Sequence, residues 1–157
     1  MMDQECELGA DLLRSRNVSL DIAAALAAIA HARPGAVLIH CGGGRDRTGL
    51  LTMILLALVG VDPDDIASDY ELSYERMRAL YAAPGEPDQG PILQRFFAEE
   101  NSSARAVILD ILESVDIEHT LRAGGMTQAD LTAVRERLRG SEEGDPFVLV
   151  ARPPAPA

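Results

Sequence analysis

The sequence predicts an α/β domain dominated by helices, in which helices pack around a single strand. The run Ala36-Val37-Leu38-Ile39 has the length and composition of a buried parallel strand. Three glycines and a polar turn follow it, and a second apolar run from Leu50 to Val59 is long enough for a buried helix. Aromatic residues make up only 4% of the chain. Leu, Ala, Ile and Val must therefore form most of the core, a composition that favours helices.

Helix signals recur along the rest of the chain. One helix is predicted within 8–13 and a better one from Leu20 to His31, with Asn17 or Ser19 as its N-cap. Pro63 and the acids after it open a helix to about Tyr81, and the prolines and glycines of 82–91 predict a loop. Further helices are predicted over 92–100, 104–115, 117–122 and 127–139, with caps at Asn101-Ser102-Ser103 and Thr127.

The length of 157 residues predicts one domain. We assign residues 1–140 to this domain and residues 141–157, which are acidic and then proline-rich, to a flexible tail. Residues 147–151 are interpreted as part of that tail, with a short edge strand as the alternative.

Composition excludes several functional classes. The net charge of −11 argues against general binding to nucleic acid or to an anionic membrane surface. The chain has no run of about 18 uncharged apolar residues, so membrane insertion is not predicted. Its two cysteines do not form a disulfide framework. We therefore expect a soluble cytoplasmic protein. No metal-ligand cluster or dinucleotide fingerprint is present, so neither a metal nor a cofactor is expected.

The stretch 36–49, AVLIHCGGGRDRTG, carries the chemistry. It places Cys41 at the end of the predicted strand and Arg47 at the start of the following helix. Gly42, Gly43 and Gly44 permit a loop whose backbone N–H groups surround a tetrahedral anion. The helix adds its own unpaired N–H groups. This pattern predicts a phosphate-binding loop.

Cys41 is the candidate nucleophile. A free thiol has a pKa of about 8.5, and a helix N-terminus with a fixed guanidinium lowers the pKa of a thiol placed there. The planar fork of Arg47 can bind two phosphate oxygens at once. The hydroxyl of Thr48 can donate a hydrogen bond to the thiolate and stabilise it as a leaving group.

The order His40-Cys41-x5-Arg47-Thr48-Gly49 resembles the signature of the cysteine-dependent protein tyrosine and dual-specificity phosphatases. Its ending is most similar to a bacterial branch with Gly-Lys-Asp-Arg-Thr-Gly in the loop, which includes phosphotyrosine and phosphoinositide phosphatases. The resemblance implies that Cys41 forms a phosphocysteine, that Arg47 holds the phosphate and that Asp46 is the general acid or base. Arg45 replaces the usual lysine, in a chain whose 14 basic residues are all arginine.

The other candidate residues support this site or are bystanders. His40 is either an orienting hydrogen-bond partner beneath the loop or a buried histidine with satisfied hydrogen bonds, and Asp69 is either a support for the loop or a surface acid. Cys6, between two glutamates, is interpreted as a bystander. The predicted substrate-binding residues are Gly42, Gly43, Gly44, Arg45, Thr48 and His40.

The resemblance covers about residues 20–139 and implies a truncated tyrosine-phosphatase-like fold. In the family, the part before the signature supplies most of the central sheet, and here that part is missing. A lone strand needs hydrogen-bonding neighbours. The chain is therefore a truncated member, or it completes its sheet with another polypeptide or a second copy of itself.

The expected activity is hydrolysis of phosphate monoesters through a phosphocysteine. The substrate is a phosphorylated protein, a phospholipid or a smaller phosphate ester. The alternative is an inactive phosphate-binding remnant or a module that needs a missing N-terminal half or partner. Sulfur transfer or arsenate reduction is a third hypothesis.

Overall fold

The computed structural model describes residues 16–41, 44–81, 90–99 and 101–140. Cys6 and the predictions over 8–13 and 147–151 lie outside these ranges, as does most of the predicted loop over 82–91. The described ranges are dominated by helices, which confirms the helix-rich fold. The helices are α1 (Arg16–Ala30), α2 (Arg47–Leu58), α3 (Pro63–Tyr81), α4 (Gly90–Glu99), α5 (Ala104–Ser114), α6 (Ile117–Ala123) and α7 (Gln128–Arg139).

The predicted strand over Ala36–Ile39 is not formed in the described part of the chain. These residues have no regular secondary structure, and none of the described residues is in a strand. Leu38 is 86% exposed and Val37 is 40% exposed, whereas Ile39 packs against the core. A strand exists only by hydrogen bonding to a neighbouring strand. The described residues supply no such neighbour, so the expectation of a residual parallel strand is wrong for this segment.

Most predicted helices occur, with shifted ends. Helix α1 begins at Arg16, so Asn17 and Ser19 lie inside it and are not its N-cap. Ser103 caps α5, where its hydroxyl accepts a hydrogen bond from the amide of Ala106 at 3.1 Å. The capping box predicted at the start of α7 is also present. These caps link residues three apart, which is why the sequence alone reveals them.

The core is aliphatic. Helix α1 packs on α6 and α7, α2 packs on α3, and α3 packs on α5. No aromatic residue is among the buried residues of the described chain, as the composition predicted. Its largest fully buried side chains are those of Leu26, Ile66, Leu121, Leu131 and Val134.

Helices α1 and α6 approach closely at Gly124. A Cβ atom on Gly124 would lie 2.4 Å from the backbone oxygen of Ser19 and 2.8 Å from the Cβ of Ala23. The first of these atoms belongs to the backbone of α1 and cannot rotate away. Gly124 is therefore required by packing and allows the start of α1 to seat against the end of α6.

Two arginines of α7 hold the end of α2. Arg135 donates from Nε to the carbonyl of Leu58 at 3.0 Å, and Arg139 donates from Nη2 to the carbonyl of Val59 at 3.0 Å. Carbonyls at a helix C-terminus lack intrahelical partners and carry partial negative charge, so guanidinium groups stabilise them. Arg135 also pairs with Glu118 at 2.5 Å and, with Arg122, holds the pKa of Glu118 below its usual value.

A third arginine of α7 holds the turn that leads to the candidate nucleophile. Arg137 donates to the carbonyls of Ala32 at 2.9 Å, Arg33 at 2.7 Å and Gly35 at 3.0 Å. A single guanidinium thus satisfies three backbone acceptors of a turn that has no regular secondary structure. The chain leaves this turn at a position fixed relative to α7.

The N-terminus of α7 is anchored to the end of α1 through Asp130. This carboxylate accepts hydrogen bonds from the hydroxyl of Thr127 at 2.7 Å, the amide of Thr127 at 2.8 Å and Nε2 of His31 at 2.6 Å. The hydrogen bond from the Thr127 side chain, followed by those from its backbone and from His31, lowers the pKa of Asp130 below its usual value.

We predict that Gly124→Ala destabilises the protein by about 2 kcal/mol, because the added methyl group overlaps the backbone of α1. The measurement is chemical denaturation followed by circular dichroism. Ala28→Ser, on the exposed face of α1, serves as the control and is expected to change little. An unaltered unfolding midpoint for Gly124→Ala would contradict the close approach.

We also predict that the stabilising contribution of Asp130 depends on pH. Because the pKa of Asp130 is lowered in the folded state, its contribution is fully present above the unfolded value of about 3.9 and is lost as pH falls through the folded value. Asp130→Asn should therefore lower the melting temperature at pH 7 and have a smaller effect near pH 3.

The matched control is Asp21→Asn, which changes an exposed carboxyl group of α1. Its effect on the melting temperature should differ little between the two pH values. An Asp130→Asn difference that is as large at pH 3 as at pH 7 would refute the linkage.

Candidate active site

Cys41 lies between a fixed turn and the N-terminus of α2. The turn is held by Arg137, and Ile39 packs against the core just before the cysteine. Cys41 itself is half-buried.

The loop folds back onto the sulfur. The amide of Gly44 donates a hydrogen bond to Sγ of Cys41 at 3.2 Å. Gly44 has a φ of +73°, a left-handed conformation that favours glycine. A backbone donor aimed at sulfur stabilises the thiolate more than the thiol. Gly42 and Gly43 lie outside the described residues.

Helix α2 begins with amides that no side chain caps. Asp46 is the N-cap residue, and its carbonyl accepts from the amide of Leu50 at 2.9 Å, but its side chain makes no capping hydrogen bond. The first amides of a helix have no intrahelical acceptor and lie at the positive end of its dipole. This arrangement is suited to binding an anion beside Cys41.

The two arginines of the loop have different surroundings. The side chain of Arg45 is only 11% exposed and pairs with Asp46, whose side chain is 73% exposed. Nε of Arg45 donates to Oδ1 of Asp46 at 3.0 Å, and Nη2 donates to Oδ2 at 3.3 Å. Arg47 is exposed and makes no ion pair with the described residues. Its guanidinium is therefore available to an incoming anion.

The structure bears on the roles predicted for Thr48 and His40. The hydroxyl of Thr48 is buried and has no hydrogen-bond partner in the described structure. It therefore does not donate to the sulfur of Cys41 in this conformation. His40 is exposed, which excludes the interpretation of His40 as a buried histidine.

Tyr70 fixes the start of α2 from the neighbouring helix. A Cβ atom on Gly49 would lie 2.7 Å from Cε2 of Tyr70, so the ring of Tyr70 lies directly against this glycine. Gly49 is thus required by contact with α3. We had not predicted a role for Tyr70, although it adjoins the Asp69 singled out from the sequence.

Two clefts flank the loop. One is about 170 Å³ in volume and is largely apolar, with Arg45 and Asp46 at one end and Tyr70 and Phe97 in its walls. The other is more polar and is lined on its α3 side by Asp69, Tyr70, Ser73 and Arg76. Asp69 is exposed and makes no hydrogen bond with the described residues of the loop. Its position favours the surface-acid interpretation.

The described residues contain no group of three or more His, Cys, Asp and Glu side chains arranged to hold a metal ion. None of the described helices has the length and hydropathy required to cross a membrane.

Together, these residues place a half-buried cysteine, with an amide donor at its sulfur, beside a helix whose N-cap side chain makes no capping hydrogen bond. Comparison with known proteins extends this description. A family model described as "Tyrosine phosphatase family" matches residues 8–140. The chain belongs to this tyrosine phosphatase family.

Two similar relatives are bacterial. A tyrosine-protein phosphatase of Nostoc commune is 47% identical, over 70% of this chain and 41% of the relative. The triple specificity protein phosphatase PtpB of Mycobacterium tuberculosis is 41% identical, over 45% of this chain and 24% of the relative. The chain thus spans less than half the length of these relatives. No solved structure matches it.

We predict that Gly49→Ala destabilises the protein by about 1–3 kcal/mol, because its methyl group overlaps the Tyr70 ring. In a Tyr70→Ala background the same change should stabilise by roughly 0.5–1 kcal/mol, because alanine is a better helix former than glycine. Denaturant unfolding of the four variants measures both effects. Equal effects of Gly49→Ala in the two backgrounds would show that the ring does not cause the requirement.

Proposed function

We propose that the chain carries the catalytic loop of a cysteine-dependent phosphatase that hydrolyses phosphate monoesters. The observation that supports this most directly is the hydrogen bond from the Gly44 amide to the sulfur of Cys41, next to the uncapped N-terminus of α2. Membership of the tyrosine phosphatase family gives independent support.

In the first step, the Cys41 thiolate attacks phosphorus, a sulfur–phosphorus bond forms and the bond to the leaving oxygen breaks. The loop amides and Arg47 bind the nonbridging oxygens of the phosphoryl group and stabilise their charge in the transition state. In the second step, water attacks phosphorus, the sulfur–phosphorus bond breaks and inorganic phosphate is released. Asp46 transfers protons for these steps.

Several finer features belong to the same proposal. The thiolate must remain reduced, which places the reaction in a reducing compartment such as the cytoplasm. The substrate is a phosphorylated protein, a phospholipid or a smaller phosphate ester. A second copy or another polypeptide would complete the sheet at residues 36–39.

An alternative function is phosphate binding without turnover. The exposed segment before Cys41 favours it, because Leu38 has no covering neighbour among the described residues. The small share of the relatives that the chain spans favours it as well. In this case the chain binds phosphate at α2 and needs an additional polypeptide for catalysis.

We predict that the purified chain releases the alcohol from an aryl phosphate and that Cys41→Ser lowers this rate at least about a thousand-fold, because the covalent step is lost. Arg47→Lys should also lower the rate, since lysine cannot bind two oxygens with a planar fork. Product absorbance measures the rate, and inorganic phosphate binding is measured by calorimetry.

Arg122→Gln is the matched control, because it removes an arginine that pairs with a carboxylate on α6, away from the loop. It should leave the rate nearly unchanged. Equal rates for the wild type and Cys41→Ser would refute the phosphatase mechanism. Phosphate binding without any turnover would support the alternative function.

A further inference from the structure

Arg45 is placed to act on Asp46. Its side chain is 11% exposed, and two of its N–H groups point to the two carboxylate oxygens of the adjacent residue. The sequence favoured a different role, contact between Arg45 and the substrate. In the structure, this guanidinium is hydrogen-bonded to the carboxylate of Asp46, the candidate proton-transfer residue.

Arginine and the lysine that is usual at this position in the family bind a carboxylate differently. A guanidinium offers two parallel N–H donors to a carboxylate, whereas a lysine ammonium acts as a point charge. The Arg45 side chain is mostly buried and lines the cleft with Tyr70 and Phe97. The position of its N–H donors is therefore fixed. They can therefore hold the exposed carboxylate of Asp46 in one orientation.

Both oxygens of the Asp46 side chain thus act as hydrogen-bond acceptors from the guanidinium. A side chain held in this way as an acceptor suits one of the two chemical steps. When water attacks the phosphocysteine, an oxygen–phosphorus bond forms and the sulfur–phosphorus bond breaks. Asp46 takes a proton from the water, and Cys41 leaves as a thiolate. In the first step, by contrast, Asp46 has to donate a proton to the leaving oxygen, which the acceptor geometry towards Arg45 does not assist.

We infer that Arg45 is a positioning residue that holds Asp46 as the general base for hydrolysis of the phosphocysteine. This inference rests on the proposed phosphatase function.

The experiment is rapid mixing of the whole chain with an aryl phosphate, in which alcohol release and the phosphocysteine are measured separately. Acid quenching followed by intact mass measurement detects the phosphoryl group on the protein. The variants are Arg45→Gln, Arg45→Lys, Asp46→Asn and the double variant Arg45→Gln with Asp46→Asn. Arg122→Gln is again the control.

We expect Asp46→Asn to slow steady-state turnover about 10²-fold or more, the usual scale of general base catalysis. Arg45→Gln should slow it about ten-fold, with a burst of one alcohol per chain and accumulation of phosphocysteine. Arg45→Lys keeps the charge and introduces the residue that is usual in the family, so it should turn over faster than Arg45→Gln and accumulate less phosphocysteine. In the Asp46→Asn background, Arg45→Gln should change the rate less than about two-fold, because its effect passes through Asp46.

Two results would overturn the inference while leaving the proposed function intact. In one, Arg45→Gln raises KM with kcat unchanged and no phosphocysteine accumulates, which would indicate a substrate contact. In the other, the effects of Arg45→Gln and Asp46→Asn multiply, which would indicate independent roles. If the wild type released no alcohol in a Cys41-dependent manner, both the function and the inference would fail. If Arg45→Gln lost its helical circular dichroism, Arg45→Lys would decide the outcome by the same criteria.

Discussion

The position of the candidate catalytic loop depends on hydrogen bonds from the arginines of α7 to backbone carbonyls. Arg137 holds the turn before Cys41, and Arg135 and Arg139 hold the end of the helix that follows it. One helix thus fixes both sides of the segment that contains the candidate nucleophile. The contacts bind carbonyl groups, which every residue type carries. These contacts therefore require arginine at three positions of α7, but they do not require particular residue types in the segments whose carbonyls are bound.

The same helix is itself fixed at its N-terminus. Asp130 joins the capping box of α7 to His31 at the end of α1, while Glu118 joins Arg135 to α6. These polar contacts lie around an aliphatic core, in which Leu131 and Val134 of α7 are fully buried. Burial supplies most of the stabilising free energy, and the hydrogen bonds set the rotation and depth of the helix. The capping box, the polar contacts to other helices and the buried side chains therefore all fix α7 in the same position.

The sequence predicted the features that depend on neighbouring residues. The caps at Ser103 and Thr127 and the turn at Gly44 each involve residues a few positions apart, so the residue types reveal them. The strand at Ala36–Ile39 was predicted wrongly, because a strand needs a partner that local composition cannot guarantee. The burial of Arg45 was also missed. It depends on the apolar cleft shared with Tyr70 and Phe97, which lie far away in the chain.

The two sides of the loop have different support, which has a chemical consequence. On the helix side, α2 is packed into the core and its C-terminus is held by α7. The backbone of its first turn, which includes Arg47, therefore has a fixed position. On the other side, Leu38 is 86% exposed three residues before the nucleophile. Covering a leucine side chain contributes about 1.5–3 kcal/mol, so a neighbour that paired with residues 36–39 would stabilise mainly the side that carries the sulfur.

Anion binding and chemical attack are therefore separable in this architecture. Binding needs the helix amides, which the packing of α2 holds in place, and a guanidinium such as that of the exposed Arg47. Attack needs the sulfur in line with the leaving oxygen, and an error of about 1 Å in such a position costs on the order of 10²-fold in rate. We therefore expect a contact that covers Val37 and Leu38 to favour attack by Cys41 more than it favours phosphate binding.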